Sequence, residues 1–442
     1  MFHQGMINES KEESRRAATL LFFIGMFSLT QINIGGKLGI SEFVMVVCAP
    51  FVFLKNIALF RRDGNLNYFY FNLLWIVGAV IADLYSHTFL PFALKGWATP
   101  ITLFSDSVCV YILLRKDLNN LKYLLLGIAI SGVISIFVFQ RGGAGDIAAE
   151  SGLMAGAEKV MAYKLFWSNQ ITTWLTLPIC GWYLKCKKSY CICVIGFLVV
   201  FNLFTGARSA MLAMTITFMF LALGGKTQES IRGLKRHALL LITVLAIVGL
   251  GVKVVYQYAV KNGYMGEEEL RKYEMQTRTE GGESVLSMLM SGRAEFFICL
   301  FAAVDNPIIG LGSFPIDNDG YTIEFLSKYG TPQDYERVKN AEIENGARII
   351  PWHSHIATYW LWHGVLGLIF WIYVFLLVGK TLFLRMHVYP PWFGYLSMTL
   401  PLFAWDILFS PLGLRVNIAA LLVSMLIVSK MSMEKYQVMN WR

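Results

Sequence analysis

Apolar stretches alternate with short polar connections along most of the sequence, and this alternation restricts the fold more than any single motif. About twelve stretches are long enough, or nearly long enough, to cross a membrane as helices of about 20 residues. The first of them runs from Ala18 to Ile34. Hydrophobic residues make up 56% of the chain and charged residues only 15%, whereas soluble domains average about 25% charged residues. We therefore predict an all-α, polytopic integral membrane protein with about twelve transmembrane helices.

Lysine and arginine residues indicate how these spans are oriented. They collect in alternate connections, and cytoplasmic connections of membrane proteins are enriched in these residues. Both termini are therefore predicted to be cytoplasmic. The net charge of +9 is then explained by topology and lipid contact rather than by nucleic-acid binding. The pattern rests on Arg15, Arg16, Arg61, Arg62, Arg115, Lys116, Lys185, Lys187, Lys188, Arg232, Lys235, Arg236, Lys380, Arg385, Lys430 and Lys435.

One connection is much longer than the others and divides the chain. Residues 259–352, between the ninth and tenth predicted spans, far exceed the usual connection of about 2 to 6 residues. We predict a periplasmic loop domain there, between N-terminal transmembrane helices (1–258) and C-terminal ones (353–442). Within it, residues 285–304 are apolar at helical spacing and are predicted to form an amphipathic helix along the outer interface.

Two arginines at the outer ends of apolar stretches are candidates for a phosphate site. Arg208 lies in "TGARSAM" and Arg293 in "SGRAEFF". An ionisable group at membrane depth costs roughly 2.5 to 3.5 kcal/mol or more, so it indicates a function by default. A guanidinium also presents a fork of donors that matches phosphate oxygens. The alternatives are an Arg208 that contacts lipid headgroups and an Arg293 that pairs with a loop carboxylate such as Glu295.

Two histidines, His353 and His355, stand on either side of Ser354 at the start of the tenth predicted span. An imidazole with an ordinary pKa of about 6.5 can take a proton from a hydroxyl at neutral pH. Residues two apart on a helix point to different faces, so one of the two is expected to face a site. A metal site is less favoured, because His363 lies ten residues further on and no carboxylate stands at ligand spacing.

Four other charged residues lie in or beside predicted spans, namely Asp83, Asp106, Asp406 and Arg415. Asp406 and Arg415 fall near the outer ends of the last two spans. These two could pair with each other, and we favour this structural role over a role in substrate binding. The sequence assigns no role to Asp83 or Asp106.

The stretch that begins at His353 resembles the motif of the O-antigen ligase and polymerase superfamily. That motif is a His, then Asn, Ser or Gln, nine residues and Gly-x-x-Gly, and here it reads His353, Ser354, nine residues, Gly364 and Gly367. "TGARSAM" is similar to the family's Gly-x-Arg turn, and "NPIIGLGSF" to its Asn-Pro…Gly-x-Gly segment. The resemblance covers about residues 190–380, which we take as the catalytic region.

This resemblance implies a metal-independent, inverting glycosyltransferase of the GT-C type in the bacterial inner membrane, without a cofactor. Such an enzyme transfers a glycan from undecaprenyl pyrophosphate to an acceptor hydroxyl at the periplasmic face. The resemblance implies that Arg208 and Arg293 bind the pyrophosphate and that His353 is the general base. Ser354 and His355 are expected among the substrate-binding residues.

The sequence leaves the acceptor open. A ligase would use the lipid A core, and an O-antigen or exopolysaccharide polymerase would use another lipid-linked repeat unit. A twelve-span transporter is less favoured, because its charges would gather at mid-membrane between repeats, whereas the candidate residues gather at one face. A non-catalytic scaffold of a polysaccharide export complex is a third class of function.

Overall fold

The computed structural model describes residues 2–33, 37–137, 188–204, 208–223, 293–330, 332–345, 348–385, 392–410 and 415–440. It also describes residues 257–264 and a few single positions between 171 and 273. Most of these residues are helical, which confirms the predicted all-α class. A two-stranded antiparallel hairpin, β1 (Gln31–Asn33) with β2 (Lys37–Gly39), is the sheet found in this part of the chain.

The helices named below follow chain order. They are α1 (Phe2–Met26), α2 (Ile40–Arg62), α3 (Leu66–Tyr85), α4 (Leu90–Leu114), α5 (Leu121–Phe137), α6 (Lys188–Phe204), α7 (Arg208–Leu223), α8 (Ala294–Asp305), α9 (Tyr321–Tyr329), α10 (Pro332–Asn345), α11 (His355–Lys380), α12 (Phe393–Phe409) and α13 (Arg415–Asn440). A 3-10 turn (Leu118–Asn120) precedes α5, and a π-helical turn (Thr381–Arg385) extends α11.

Five helical segments within the described residues are long and apolar enough to cross a membrane: Ile40–Arg62, Leu66–Tyr85, Leu90–Leu114, His355–Arg385 and Arg415–Ser432. Shorter apolar helices are Leu118–Ile134, Ser189–Asn202, Ala210–Met219 and Phe393–Phe409. The predicted spans at 165–184 and 238–258 lie almost wholly outside the described residues. The count of about twelve spans therefore stays a prediction.

The first apolar stretch ends earlier than predicted. Helix α1 stops at Met26, and the chain then enters the β-hairpin instead of continuing as a helix to Ile34. The hydroxyl of Ser28 donates to the Gly25 carbonyl at 2.7 Å. This bond satisfies one of the carbonyl groups that every helix end leaves without a partner, so a polar side chain closes the helix inside an apolar run.

Helices α3 and α11 pack against each other in antiparallel directions. Phe71 contacts Tyr373 with ring centroids 5.0 Å apart, and further along α3 a Cβ at Gly78 would lie 2.8 Å from Leu366. Between them, Trp75 stacks on Phe370 at 4.8 Å. The start of α11 therefore lies beside the end of α3.

Basic residues from separate predicted cytoplasmic connections meet at the other end of α3. Asp63 accepts hydrogen bonds from Arg115 Nε at 2.6 Å and from the Tyr111 hydroxyl at 2.9 Å, and Lys430 Nζ lies 3.0 Å away. Burial raises the pKa of Asp63, but the hydrogen bonds from Arg115, Lys430 and Tyr111 outweigh this effect and hold it below its ordinary value. Arg115 and Lys430 thus share one end of the molecule, as the charge pattern predicts.

The predicted pairing of Arg415 with Asp406 is wrong. Arg415 forms a bidentate ion pair with Glu42, in which Nε and Nη2 each lie 2.9 Å from a carboxylate oxygen. Helix α13 packs against α4, and α4 packs against α2, so the first residue of α13 reaches the first turn of α2. Asp106 is buried in α4, close enough for its charge to interact with those of Glu42 and Arg415.

Candidate active site

Helix α11 is kinked at Gly364, and the loop that follows α8 binds at this kink. Gly364 has φ 64° and ψ −155° within the helix, a conformation that is essentially restricted to glycine. The carbonyls of Leu361 and Trp362 accept hydrogen bonds from the amides of Leu311 (2.7 Å) and Gly312 (3.1 Å). The loop that follows α8 is therefore bonded directly to the backbone of α11.

Two motif glycines allow this close approach of backbones. The amide of Val365 donates to the Ile308 carbonyl at 3.0 Å, and a Cβ at Gly364 would lie 2.0 Å from that carbonyl oxygen. A Cβ at Gly310 would lie 2.6 Å from the Leu361 carbonyl oxygen. The Gly-x-x-Gly and Gly-x-Gly segments of the sequence motifs thus meet, although 54 residues separate Gly310 from Gly364.

A buried polar network anchors the same loop to α3. Ser313 donates to the Asp83 carboxylate from its amide (2.5 Å) and its hydroxyl (2.8 Å). His363 Nε2 lies 3.4 Å from the Ser313 hydroxyl, and Trp75 Nε1 donates to His363 Nδ1 at 2.8 Å. Because the indole can only donate, His363 is neutral with its proton on Nε2. Asp83 and His363 therefore have a structural role in holding the loop.

Arg293 directly precedes α8 and contacts the last turn of α12. Its guanidinium carbon lies 5.1 Å from the Trp405 ring centroid and 5.9 Å from that of Phe409. One guanidinium nitrogen donates to the Phe409 carbonyl at 3.3 Å, and the charge of Asp406 lies close enough to interact with it. The aromatic rings, the helix carbonyl and the nearby acid together hold the guanidinium at this end of the bundle.

His353 lies in the extended segment before α11 and faces the first turn of α8. Its Nδ1 is 3.3 Å from Glu295 Oε2, and the two side chains are 45% and 49% exposed. This is an ion-pair distance without the alignment of a hydrogen bond, and Nδ1 itself is shielded from solvent. Glu295 follows Arg293 by two residues, so this contact brings Arg293 and His353 into one neighbourhood.

Glu295 contacts His353, a partner that the sequence did not predict for it. The sequence named it only as an alternative partner for Arg293. Its place in the first turn of α8 turns the carboxylate towards His353, while Arg293 contacts α12. The available signal was an acid two residues after a base within the helix predicted at 285–304, but it did not identify the histidine as the partner.

Ser354 and His355 occupy buried positions at the start of α11. The Ser354 hydroxyl accepts a hydrogen bond from the Ala357 amide (3.1 Å) and donates to the Ile407 carbonyl (3.3 Å), so it caps α11 and joins it to α12. The His355 ring lies 4.4 Å from the Trp371 ring. The structure thus gives both residues packing and capping contacts, and their predicted part in substrate binding stays a prediction.

Arg208, the second predicted phosphate-binding residue, is the first residue of α7. Helix α7 packs against α12, where the Thr217 hydroxyl donates to the Ser397 carbonyl at 2.8 Å. With a rise of 1.5 Å per residue, Arg208 lies about 13 Å from Thr217 along the helix axis. The predicted alternation of spans would direct Arg208 towards the end of α12 that contacts Arg293, and this placement stays a prediction.

The comparison with protein families finds one match. Residues 192–372 match the model of the family described as O-antigen ligase. The matched region begins in α6, contains Arg208, Arg293 and His353, and ends in α11. No curated protein sequence matches the chain. The family match confirms, over residues 192–372, the resemblance to the O-antigen ligase and polymerase superfamily found in the motifs.

Proposed function

We propose that the protein transfers a glycan from undecaprenyl pyrophosphate to an acceptor hydroxyl of the lipid A core, with His353 as the general base. The observation that supports this proposal most is the contact between the start of α8 and the start of α11. It puts a half-exposed imidazole beside Glu295, which follows Arg293 by two residues. The family match adds the substrate class, because O-antigen ligases act on lipid-linked glycans.

The proposed reaction is a single displacement with inversion. The acceptor oxygen attacks the anomeric carbon of the donor glycan, and the bond from that carbon to the pyrophosphate oxygen breaks. The hydroxyl proton passes to His353, and the pyrophosphate leaves with the bonding electrons. Guanidinium groups of Arg293 and Arg208 neutralise the charge that develops on the leaving group.

We assign the site to the periplasmic face of the inner membrane. Arg115 and Lys430 meet at Asp63, at one end of α3, and cytoplasmic connections are the ones enriched in such residues. The antiparallel packing of α3 and α11 puts the start of α11 at the opposite end. Lipid-linked glycans that have crossed the membrane would meet the site there.

Analysis of the surface glycans of a strain that lacks this protein would identify the acceptor. Mass spectrometry is expected to show that the polymer is no longer attached to the lipid A core. Single repeat units on the core would instead identify a polymerase that joins lipid-linked repeat units. Unchanged glycans would contradict both functions and favour a transporter or a scaffold.

His353→Ala tests the general base. Removal of a base typically lowers the rate about 100- to 10,000-fold, so we expect little transfer by the purified variant from an undecaprenyl-pyrophosphate glycan. Donor binding, measured separately, should persist because the arginines remain. His355→Ala is expected to retain much more transfer. An inactive His355→Ala beside an active His353→Ala would move the base by two residues, and activity in both would contradict a histidine base.

A further inference from the structure

We infer that Glu295 is a positioning residue for His353, which orients the imidazole and stabilises the imidazolium that forms during transfer. The inference rests on the proposed function, because it assumes that His353 takes the acceptor proton. The resemblance in the motifs assigned no part to Glu295, and the sequence named it only as a possible partner of Arg293. The contact of its carboxylate with the ring is the observation from which this role follows.

The contact selects one ring nitrogen as the base. Glu295 Oε2 lies 3.3 Å from His353 Nδ1, and an ionised carboxylate can only accept a hydrogen bond. The carboxylate therefore favours the neutral ring form in which Nδ1 carries the proton. That form leaves the lone pair on Nε2 available for the acceptor hydroxyl.

Packing holds the segments that carry this pair. Helix α8 packs against α11, and Ile298, Cys299 and Ala302 of α8 are buried. On the other side, Ser354 caps α11 and bonds to α12 directly after His353. Only the two half-exposed side chains must rotate slightly to align the hydrogen bond, as catalytic contacts often do when substrate binds.

Glu295 is expected to accelerate the reaction because proton transfer to His353 creates a positive charge beside its carboxylate. When the acceptor O–H bond breaks and an N–H bond forms at Nε2, the ring acquires a positive charge beside the negative carboxylate. This attraction exists after proton transfer and is absent before it, so it stabilises the transition state more than the ground state. The effect should therefore appear in kcat and leave donor binding almost unchanged.

Glu295→Gln and Glu295→Asp separate the charge from the packing. A glutamine amide can donate to Nδ1 and so favours the ring form that cannot act as a base at Nε2. Loss of the corresponding acid in a His-acid pair lowers kcat by up to about 10,000-fold, and we expect a fall of about 100-fold or more for Glu295→Gln. The donor KM should stay within about twofold, since Arg293 is unchanged. Glu295→Asp keeps the charge and should retain more activity than Glu295→Gln.

The control is Glu324→Gln, the same change on α9, where the carboxylate binds Lys328 at 2.6 Å. Full-length protein in lipid nanodiscs, with an undecaprenyl-pyrophosphate glycan as donor, should show wild-type kcat and KM for this variant. Wild-type kcat for Glu295→Gln, or equal losses for Glu295→Asp and Glu295→Gln, would overturn the inference. A lowered thermal unfolding midpoint of Glu295→Gln would also overturn it, because half-exposed ion pairs contribute little to stability.

His353→Ala distinguishes a failure of the inference from a failure of the proposed function. If His353→Ala is inactive while Glu295→Gln turns over like the wild type, only the role of Glu295 is wrong. If His353→Ala turns over like the wild type, the proposed base is wrong, and the inference is wrong with it.

Discussion

At the scale of single residues, the candidate site depends on how its charged groups are held. The guanidinium of Arg293 lies against two aromatic rings and a helix carbonyl, which leaves a flat, fixed group at the end of α12. A guanidinium stacks on rings and donates in a fork, whereas a lysine ammonium is a compact point charge. The role of Arg293 should therefore be sensitive to a change that keeps its charge.

Arg293→Lys and Arg208→Lys test the pyrophosphate site. Each variant keeps the positive charge but loses the bidentate donors, so we expect transfer to fall by about 10-fold or more, the equivalent of one lost charge-assisted hydrogen bond. Initial rates with an undecaprenyl-pyrophosphate donor measure the effect. Arg348→Lys, at an exposed position of the loop domain, is the matched control. Full transfer by the double Arg208, Arg293 lysine variant would contradict the assignment.

At the scale of elements, the interrupted helix α11 joins the site to the membrane-spanning bundle. Its kink at Gly364 receives the loop after α8, and the same loop is anchored to α3 through Ser313 and Asp83. The loop leads from Arg293 and Glu295 back to the helix that begins beside His353. The kink therefore fixes the loop that connects α8, which follows Arg293, to the segment that contains His353.

Gly364→Ala is expected to disrupt this arrangement. A methyl group there would lie 2.0 Å from the Ile308 carbonyl oxygen, at a positive φ. Backbone strain of about 1 to 3 kcal/mol adds to an overpacking cost of about 1 to 3 kcal/mol. We expect a lower thermal unfolding midpoint and loss of transfer.

Gly379→Ala is the control for Gly364→Ala. Gly379 lies in the same helix, and a Cβ there would meet no atom within 4 Å among the described residues. Alanine in a helix is favoured over glycine by about 1 kcal/mol, so this variant should be as stable as the wild type or slightly more stable. Equal unfolding midpoints for Gly364→Ala and Gly379→Ala would show that the kink is dispensable.

At the scale of the whole molecule, two groups of ionisable residues lie at opposite ends of the described bundle. Asp63 brings Arg115 and Lys430 together at one end. Arg293, Glu295 and His353 lie at the end where α11 begins. Lysine and arginine residues in short loops determine which end of a membrane protein stays in the cytoplasm. The end with Arg115 and Lys430 is therefore predicted to be cytoplasmic, and the end with the candidate site periplasmic.

Cysteine labelling tests this orientation. In a variant that lacks the seven native cysteines, Asp319→Cys is expected to react in intact cells with a thiol reagent that does not cross the inner membrane. Asp319 is exposed in the loop domain. Arg62→Cys, whose parent side chain is 70% exposed at the opposite end, should react only after the inner membrane is permeabilised. The reverse pattern would place the site in the cytoplasm.

The sequence by itself determined the helical class, the positions of most described helices and the resemblance to the O-antigen ligase family. Helices α3, α11 and α12 lie within two residues of the spans predicted at 68–84, 356–378 and 392–410, because apolar chain in a membrane must satisfy its backbone hydrogen bonds locally. The motif around His353 is equally local, since it is a spacing along one stretch of chain.

Only the tertiary structure decided which charged groups meet. Arg415 pairs with Glu42 across 373 positions of sequence instead of with nearby Asp406, and Glu295 contacts His353 in a separate segment of the chain. Both outcomes depend on which helices pack side by side and on the rotation of each helix about its axis. These properties arise from the fit of whole helix surfaces. A spacing of residues along the chain does not contain that information, so the partners of charged side chains follow from packing alone.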